Sequence, residues 1–154
     1  MNAAREAAVP AAVRSALAEI LGTPVDHVRV IEHSLLTRLH GRAVATTRRN
    51  RIYLRGSARD FFNNSSLLLH EYCHVILQWQ PGRLTVRGYL MECLRRGYWN
   101  NRFEIEAREF AARHVATLHG LLAAPGISAQ QRLAPVQPAG DEDEDRPDRE
   151  RGQH

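Results

Sequence analysis

The chain predicts an α+β domain, and three features of its 154 residues carry that prediction. The β-prone stretches are short and confined to the N-terminal half, at residues 27–32, 43–47 and 51–55. Leu67 to Trp79 is apolar nearly all round, the pattern of a helix buried at a domain centre. Residues 102–122 carry Phe103, Ala107, Phe110, Ala111, Val115, Leu118 and Leu122 near one face of a long helix. A small sheet near the N-terminus with helices gathered after it gives an α+β domain.

Taken in order, residues 10–21 form a helix with Pro10 in its first turn and Val13, Leu17, Ile20 and Leu21 on one face. Gly22 is its natural stop. Residues 27–32 alternate as a short strand. Residues 34–40 suit a short helix ending at Gly41. Residues 43–47 and 51–55 flank the polar turn Arg48-Arg49-Asn50 and read as a hairpin. Asn63-Asn64-Ser65-Ser66 supplies helix-capping residues immediately before the apolar helix, and Pro81-Gly82 ends it. Residues 84–96 continue as a helix weakened by Gly88, and 97–101 form a turn. The expected order is helix, small sheet, central helix, then two more helices.

The chain divides on composition into a folded domain over 1–125 and an acidic tail over 126–154. Residues 135–154 hold seven acidic and three basic residues and almost nothing apolar, which predicts disorder. The remainder carries eighteen basic and ten acidic residues, a net of +8, and every basic residue in the chain is Arg. Such a charge can attract nucleic acid, but the arginines are scattered rather than gathered in a stripe, which weighs against that partner. No run approaches the roughly 18–20 apolar residues of a membrane span, so no membrane partner is expected. The N-terminus lacks a basic and then apolar leader, so a cytoplasmic location is expected, compatible with export by a contractile or needle-like device. Cys73 and Cys93 form no CxxC pair and are expected to be free, buried thiols.

The chemistry lies in His70-Glu71-Tyr72-Cys73-His74. On a helix, residues i and i+4 stack on one face, so His70 and His74 present two imidazoles about one turn apart, the bite for a single Zn2+. Glu71 is placed to take a proton from a zinc-bound water and pass it to a leaving amine. With eight His and eleven Glu in the chain, composition alone yields HExxH in only about a few per cent of such sequences. Two His and a Glu inside an apolar helix also need partners, because unpaired polar groups are costly there. Metal ligation supplies them.

A catalytic zinc takes three protein ligands and keeps one open position. The third is expected from the helix bearing Glu104, Glu106 and Glu109. Glu104 shares a face with Ala107, Arg108 and Ala111, small residues among them permitting close helix approach. Glu106 and Glu109 are expected to be solvated or paired with Arg102, Arg108 or Arg113. For stabilising an oxyanion, Tyr98, Arg95, Tyr89 and His114 are candidates that the sequence does not separate. Tyr72 and Trp79 are expected in the core. His27, His33, His40 and His119 match no ligand spacing.

His70-Glu71-x-x-His74 followed by Glu104-x-x-Ala107 resembles the gluzincin type of zinc metallopeptidase. That resemblance implies a zincin-like fold with His70, His74 and Glu104 as metal ligands and Glu71 as the catalytic base. Over roughly residues 13–118 the chain is closer still to small bacterial zincin-like domains found in toxin or injection-system effector proteins. The similar parts are Leu21-Gly22 through Val28-Arg29-Val30, Arg51-Ile52-Tyr53-Leu54, and Leu68 through Val75. It implies an endopeptidase acting on protein or peptide, with docking to a bacterial delivery particle as a partner. Related families often have Asp directly after ExxA, supporting a ligand from behind; here Arg108 stands there, so another residue must orient the ligands. The chain also has little length for the substrate-binding edge strand that such peptidases carry. Two other readings remain in view: a zinc-bearing binding or assembly module that does not cleave, and an Arg-rich nucleic-acid binder with a structural zinc. Cys73, one residue round the helix from His74, is poorly placed for the latter.

Overall fold

The computed structural model describes residues 4–34 and 44–124. These belong to one unit, Met1–Ala124. The readings over 35–43 and over the tail 126–154 lie outside the described residues.

The elements are β1 (Arg5–Ala7), α1 (Ala11–Leu21), β2 (Arg29–Glu32), β3 (Ala45–Arg48), β4 (Arg51–Leu54), α2 (Ala58–Asn63), α3 (Ser65–Cys73), a π-helical continuation (His74–Trp79), α4 (Val86–Arg96) and α5 (Arg102–Ala123). The fold is α+β, as the sequence predicts. Two elements go beyond the prediction. β1 precedes the first helix and joins the sheet, and the six-residue α2 leads into the central helix.

The sheet order is β1-β2-β4-β3. β1 runs antiparallel to β2, β2 parallel to β4, and β3 antiparallel to β4. The hairpin forms where expected, but its turn is two residues rather than three: Arg48 belongs to β3 and pairs with Arg51, and Arg49 sits at φ 53°, the positive φ that tight hairpin turns require. The parallel β2–β4 pair brings Val30 and Ile52 side by side, both fully buried. β1 is fastened by charge as well as by backbone. Arg5 donates twice to Glu32, at 3.0 and 2.7 Å, and Arg29 meets Glu6 at 3.2 Å. Glu32 also accepts the Ala58 N–H at 2.9 Å, tying the start of α2 to the sheet.

Each helix boundary has a local cause. α1 stops at Gly22, φ 68°, a left-handed position that Gly fills without steric cost. Asn64 caps α3 by accepting the Leu67 N–H at 3.0 Å. Thr85 caps α4 through Gly88 N–H, and a Cβ on Gly88 would sit 3.0 Å from the Thr85 hydroxyl. The glycine that weakens the helix in the sequence is thus the one that leaves room for its cap. Asn101, fully buried, caps α5.

The expected single helix over 67–79 divides. It is α-helical to Cys73 and then widens into π geometry, where Gln80 N–H reaches back five residues to Val75 O. Leu68, Leu69, Tyr72, Cys73 and Val75 are fully buried in the core. α5 packs along α3 through Ala107 and Ala111, whose small side chains allow the two helices to approach. α4 differs from its neighbours: it buries no residue, and Val86, Leu90, Met91 and Leu94 are exposed. No described helix is long and apolar enough to cross a membrane.

Candidate metal centre

His70, Glu71 and His74 sit at the end of α3 and the start of the π segment, facing the first turn of α5. Glu104 enters from that turn. His70 Nε2 lies 3.3 Å from Glu104 Oε2, and His74 Nε2 lies 3.5 Å from Glu104 Oε1. The two imidazole Nε2 atoms are 3.1 Å apart. One ligand atom from each of the three residues falls within 4.8 Å of the others, so the group could hold a metal ion. Glu104 and His74 are buried, and His70 is the most open of the three.

Hydrogen bonding fixes how these atoms point. The Gln78 amide nitrogen donates to Phe103 O and to Glu106 Oε2, each at 3.0 Å. Its carbonyl oxygen must then accept, and it faces His74 Nδ1 at 2.7 Å. His74 is therefore protonated at Nδ1, and its Nε2 lone pair points at His70 and Glu104. Glu104 Oε1 accepts from the Tyr89 hydroxyl at 2.8 Å. Glu104 Oε2 is buried with no hydrogen-bond partner; His70 Nε2 is within 3.3 Å of it but outside bonding geometry. A buried, unpartnered carboxylate oxygen and an inward-facing imidazole lone pair are costly side by side. A divalent cation satisfies both at once, and two imidazoles with one carboxylate are a donor set that suits zinc.

The electrostatics agree. Burial works against the charged form of Glu104, but the imidazoles of His70 and His74 and the Tyr89 hydroxyl more than offset it, holding the carboxyl below the usual carboxylate range. Burial likewise opposes a charged His74, yet Glu104, Glu71 and Gln78 together raise its pKa. The site is thus built to attract positive charge. Glu71, 5% exposed, has its carboxyl pushed up by burial, partly countered by His74 and His70. Burial first, and Glu106 second, push the Cys73 thiol up to about 12, which keeps it a thiol and outside the ligand group.

Several expectations are corrected. Glu106 pairs with Arg83, at 2.8 and 3.1 Å, rather than with Arg102, Arg108 or Arg113. Tyr89, a candidate for the oxyanion, instead supports Glu104. His114 lies against the Phe110 ring, and Arg95 is exposed in the last turn of α4. Tyr98 is half-exposed, and its hydroxyl pKa is raised by burial first and by Glu104 next. Trp79 is only partly buried and borders a cleft with His27, Arg49, Asn50 and Gln80, where His27 contacts Gln80. Arg108 supports no ligand; its guanidinium lies 5.4 Å from the Trp99 ring centre and donates to the Trp99 carbonyl.

Gln78 is the functional residue that the sequence reading missed. The signal was present: a polar residue four positions after His74, in an otherwise apolar helix, falls on the face of the imidazole it must orient. Gln78, not the residue after Ala107, is what contacts and orients the His74 ring.

Residues 8–82 match the family model described as the eCIS core domain, eCIS denoting extracellular contractile injection systems. That stretch runs from before α1 through the π segment. It contains His70, Glu71 and His74 and stops short of α4, Tyr89 and Glu104. The match links the chain to an injection-system setting. No curated protein and no solved structure matches the chain.

Proposed function

We propose that the chain is a zinc-dependent metallohydrolase, an endopeptidase cleaving protein or peptide substrates. His70, His74 and Glu104 would hold the zinc and Glu71 would serve as general base. The observation that carries this reading is the convergence of the three ligand atoms within 4.8 Å, with one buried Glu104 oxygen left unpartnered. The HExxH arrangement places Glu71 one residue from a ligand, and burial raises its proton affinity above that of an exposed carboxylate.

Bound zinc supplies a Lewis acid that acidifies water and polarises a carbonyl. The chain's own residues do the rest. Glu71 accepts the proton that the attacking water releases as its oxygen bonds to the carbonyl carbon. The same proton then passes from Glu71 to the nitrogen as the carbon–nitrogen bond breaks. Gln78 keeps His74 in the ligating tautomer, and Tyr89 steadies Glu104. The Tyr98 hydroxyl, in the loop just ahead of the turn that carries Glu104, is the donor assigned to an oxyanion.

A peptide substrate suits the surroundings. β3 forms one edge of the described sheet and contacts both α3 and the π segment. An extended peptide can add to such an edge through main-chain hydrogen bonds, which supports a peptide substrate. The ion pairs Arg5–Glu32, Arg14–Asp26, Arg29–Glu6 and Arg83–Glu106 are distributed over the body, which supports a protein substrate over nucleic acid. The injection-system match favours synthesis in the cytoplasm and export with a delivery particle.

That match also favours a second reading, a zinc-bearing assembly module that does not cleave, because the matched stretch omits Glu104. Metal analysis of the wild type beside His70→Ala and Glu104→Ala tests the centre. Stoichiometric zinc lost in both variants is expected, and a metal-free wild type refutes the hydrolase. Zinc-replete wild type that cuts nothing in a proteome digest selects the module.

A further inference from the structure

We infer that Tyr98 and Trp99 form a shelf beside the metal centre that seats a bulky apolar side chain of the peptide substrate. This rests on the hydrolase reading above and names the substrate class it implies.

The two aromatics lie in the loop between α4 and α5. They are 52% and 71% exposed, large apolar rings offered to solvent where burial would be favourable. Singly exposed apolar residues are ordinary, but these two are adjacent and both are held in place. The rings meet edge-on, 5.8 Å between centres. The Arg108 guanidinium covers the Trp99 ring at 5.4 Å and bonds the Trp99 carbonyl. The loop is pinned at its far end by Asn101, which is fully buried, caps α5 and bonds back to Tyr89 O and Cys93 Sγ in α4. An aromatic surface fixed before its partner arrives loses little freedom on binding, the property of an interface anchor.

Position decides the occupant. Trp99 packs against Arg108, one helical turn beyond the ligand Glu104 on α5, and Asn101 ties the loop to the backbone of Tyr89, whose hydroxyl bonds Glu104. The shelf therefore lies beside the turn that carries the ligand carboxylate. A substrate backbone at the metal would lay a neighbouring side chain on it. Two aromatic faces accept an aromatic or large aliphatic group, and the guanidinium behind Trp99 disfavours Lys or Arg there. Arg108, standing where a ligand-supporting acid is common, has a role of its own: it holds the shelf.

The test uses the zinc-loaded full chain and fluorogenic peptides randomised over the three positions on each side of the scissile bond. Wild type is expected to favour Phe, Tyr, Leu or Met over Gly at one position by about 10- to 100-fold in kcat/KM. Trp99→Ala should lose most of that ratio through KM, Trp99→Phe should keep it, and Arg108→Gln should weaken it, all with zinc content unchanged. A ratio unaltered in Trp99→Ala overturns the inference. If the wild type cleaves no peptide, the hydrolase reading fails, and binding of the same peptides to zinc-loaded Glu71→Gln protein still decides the shelf. Affinity that depends on the apolar side chain and on Trp99 upholds it; affinity indifferent to Trp99 rejects it.

Discussion

The Nδ1 atom of His74 lies 2.7 Å from the carbonyl oxygen of Gln78, one helical turn further along the same segment. Through the Gln78 amide nitrogen, that contact reaches Phe103 O and Glu106, and through Glu106 it reaches Arg83. Residues on both sides of the centre therefore set the direction of one imidazole lone pair.

Replacing Gln78 by Leu should cost metal affinity by about 10- to 100-fold, the usual effect of removing a group that orients a ligand. Chelator competition measures it directly. Gln78→Glu retains an acceptor for the His74 N–H but loses both donor bonds and sets a second carboxylate beside Glu106. It should recover only part of the affinity. Equal affinity in Gln78→Leu and wild type would mean that His74 is oriented by other groups.

Tyr89→Phe removes one hydroxyl and the 2.8 Å bond to Glu104 Oε1. A second unpaired carboxylate oxygen would then face the buried site. Zinc affinity is expected to fall about tenfold, with the circular dichroism spectrum retained because α4 buries no residue of its own. Tighter zinc binding in the variant would contradict the assigned role.

Glu71→Gln keeps the shape of the side chain and removes its ability to accept a proton. Zinc content should stay stoichiometric, while hydrolysis of a reporter peptide falls about 100- to 10,000-fold. Retained turnover would exclude Glu71 as the base.

Acid should weaken the sheet through Glu32. The Ala58 N–H first, and the Arg5 guanidinium next, hold its carboxyl below the usual 4.5. The carboxylate therefore contributes stability above about pH 4.5 that is lost as pH falls through the lower folded value. Chemical denaturation between pH 3 and 7, on the order of four pH units, should show that slope in the wild type and a flatter one in Glu32→Gln. The variant should also be less stable near neutrality by about 1–3 kcal/mol, since a buried N–H loses a charged partner.

The sequence revealed elements where side-chain pattern and local capping agreed. Gly22, Asn64 and Asn101 mark helix ends that hold in the structure, and the hairpin turn at Arg49-Asn50 falls where polarity placed it. β1 was not legible, because three residues cannot display an alternation and their strand character comes from pairing with β2 and from Arg5–Glu32. α2 carried a weak signal in Ser57 and Asp60, a cap with its acid three residues on. The π segment was invisible because an all-apolar helix reads alike with either hydrogen-bond spacing. At the centre, spacing alone brought out His70, Glu71 and His74, and the need for a further ligand pointed to Glu104. Tyr89 and Gln78 required coordinates, since their roles depend on which atom of a neighbour faces them.

The third ligand's origin on a separate helix has a consequence for folding. His70 and His74 belong to one segment and Glu104 to another, joined by the π segment, α4 and the aromatic loop. An ion held by all three would act as a reversible cross-link, closing that intervening stretch into a ring and removing freedom from the unfolded chain. Metal supply would then govern how long the protein lasts as well as what it does. Stripped of that ion, the chain would be easier to unfold, and recapture of the ion would drive it closed.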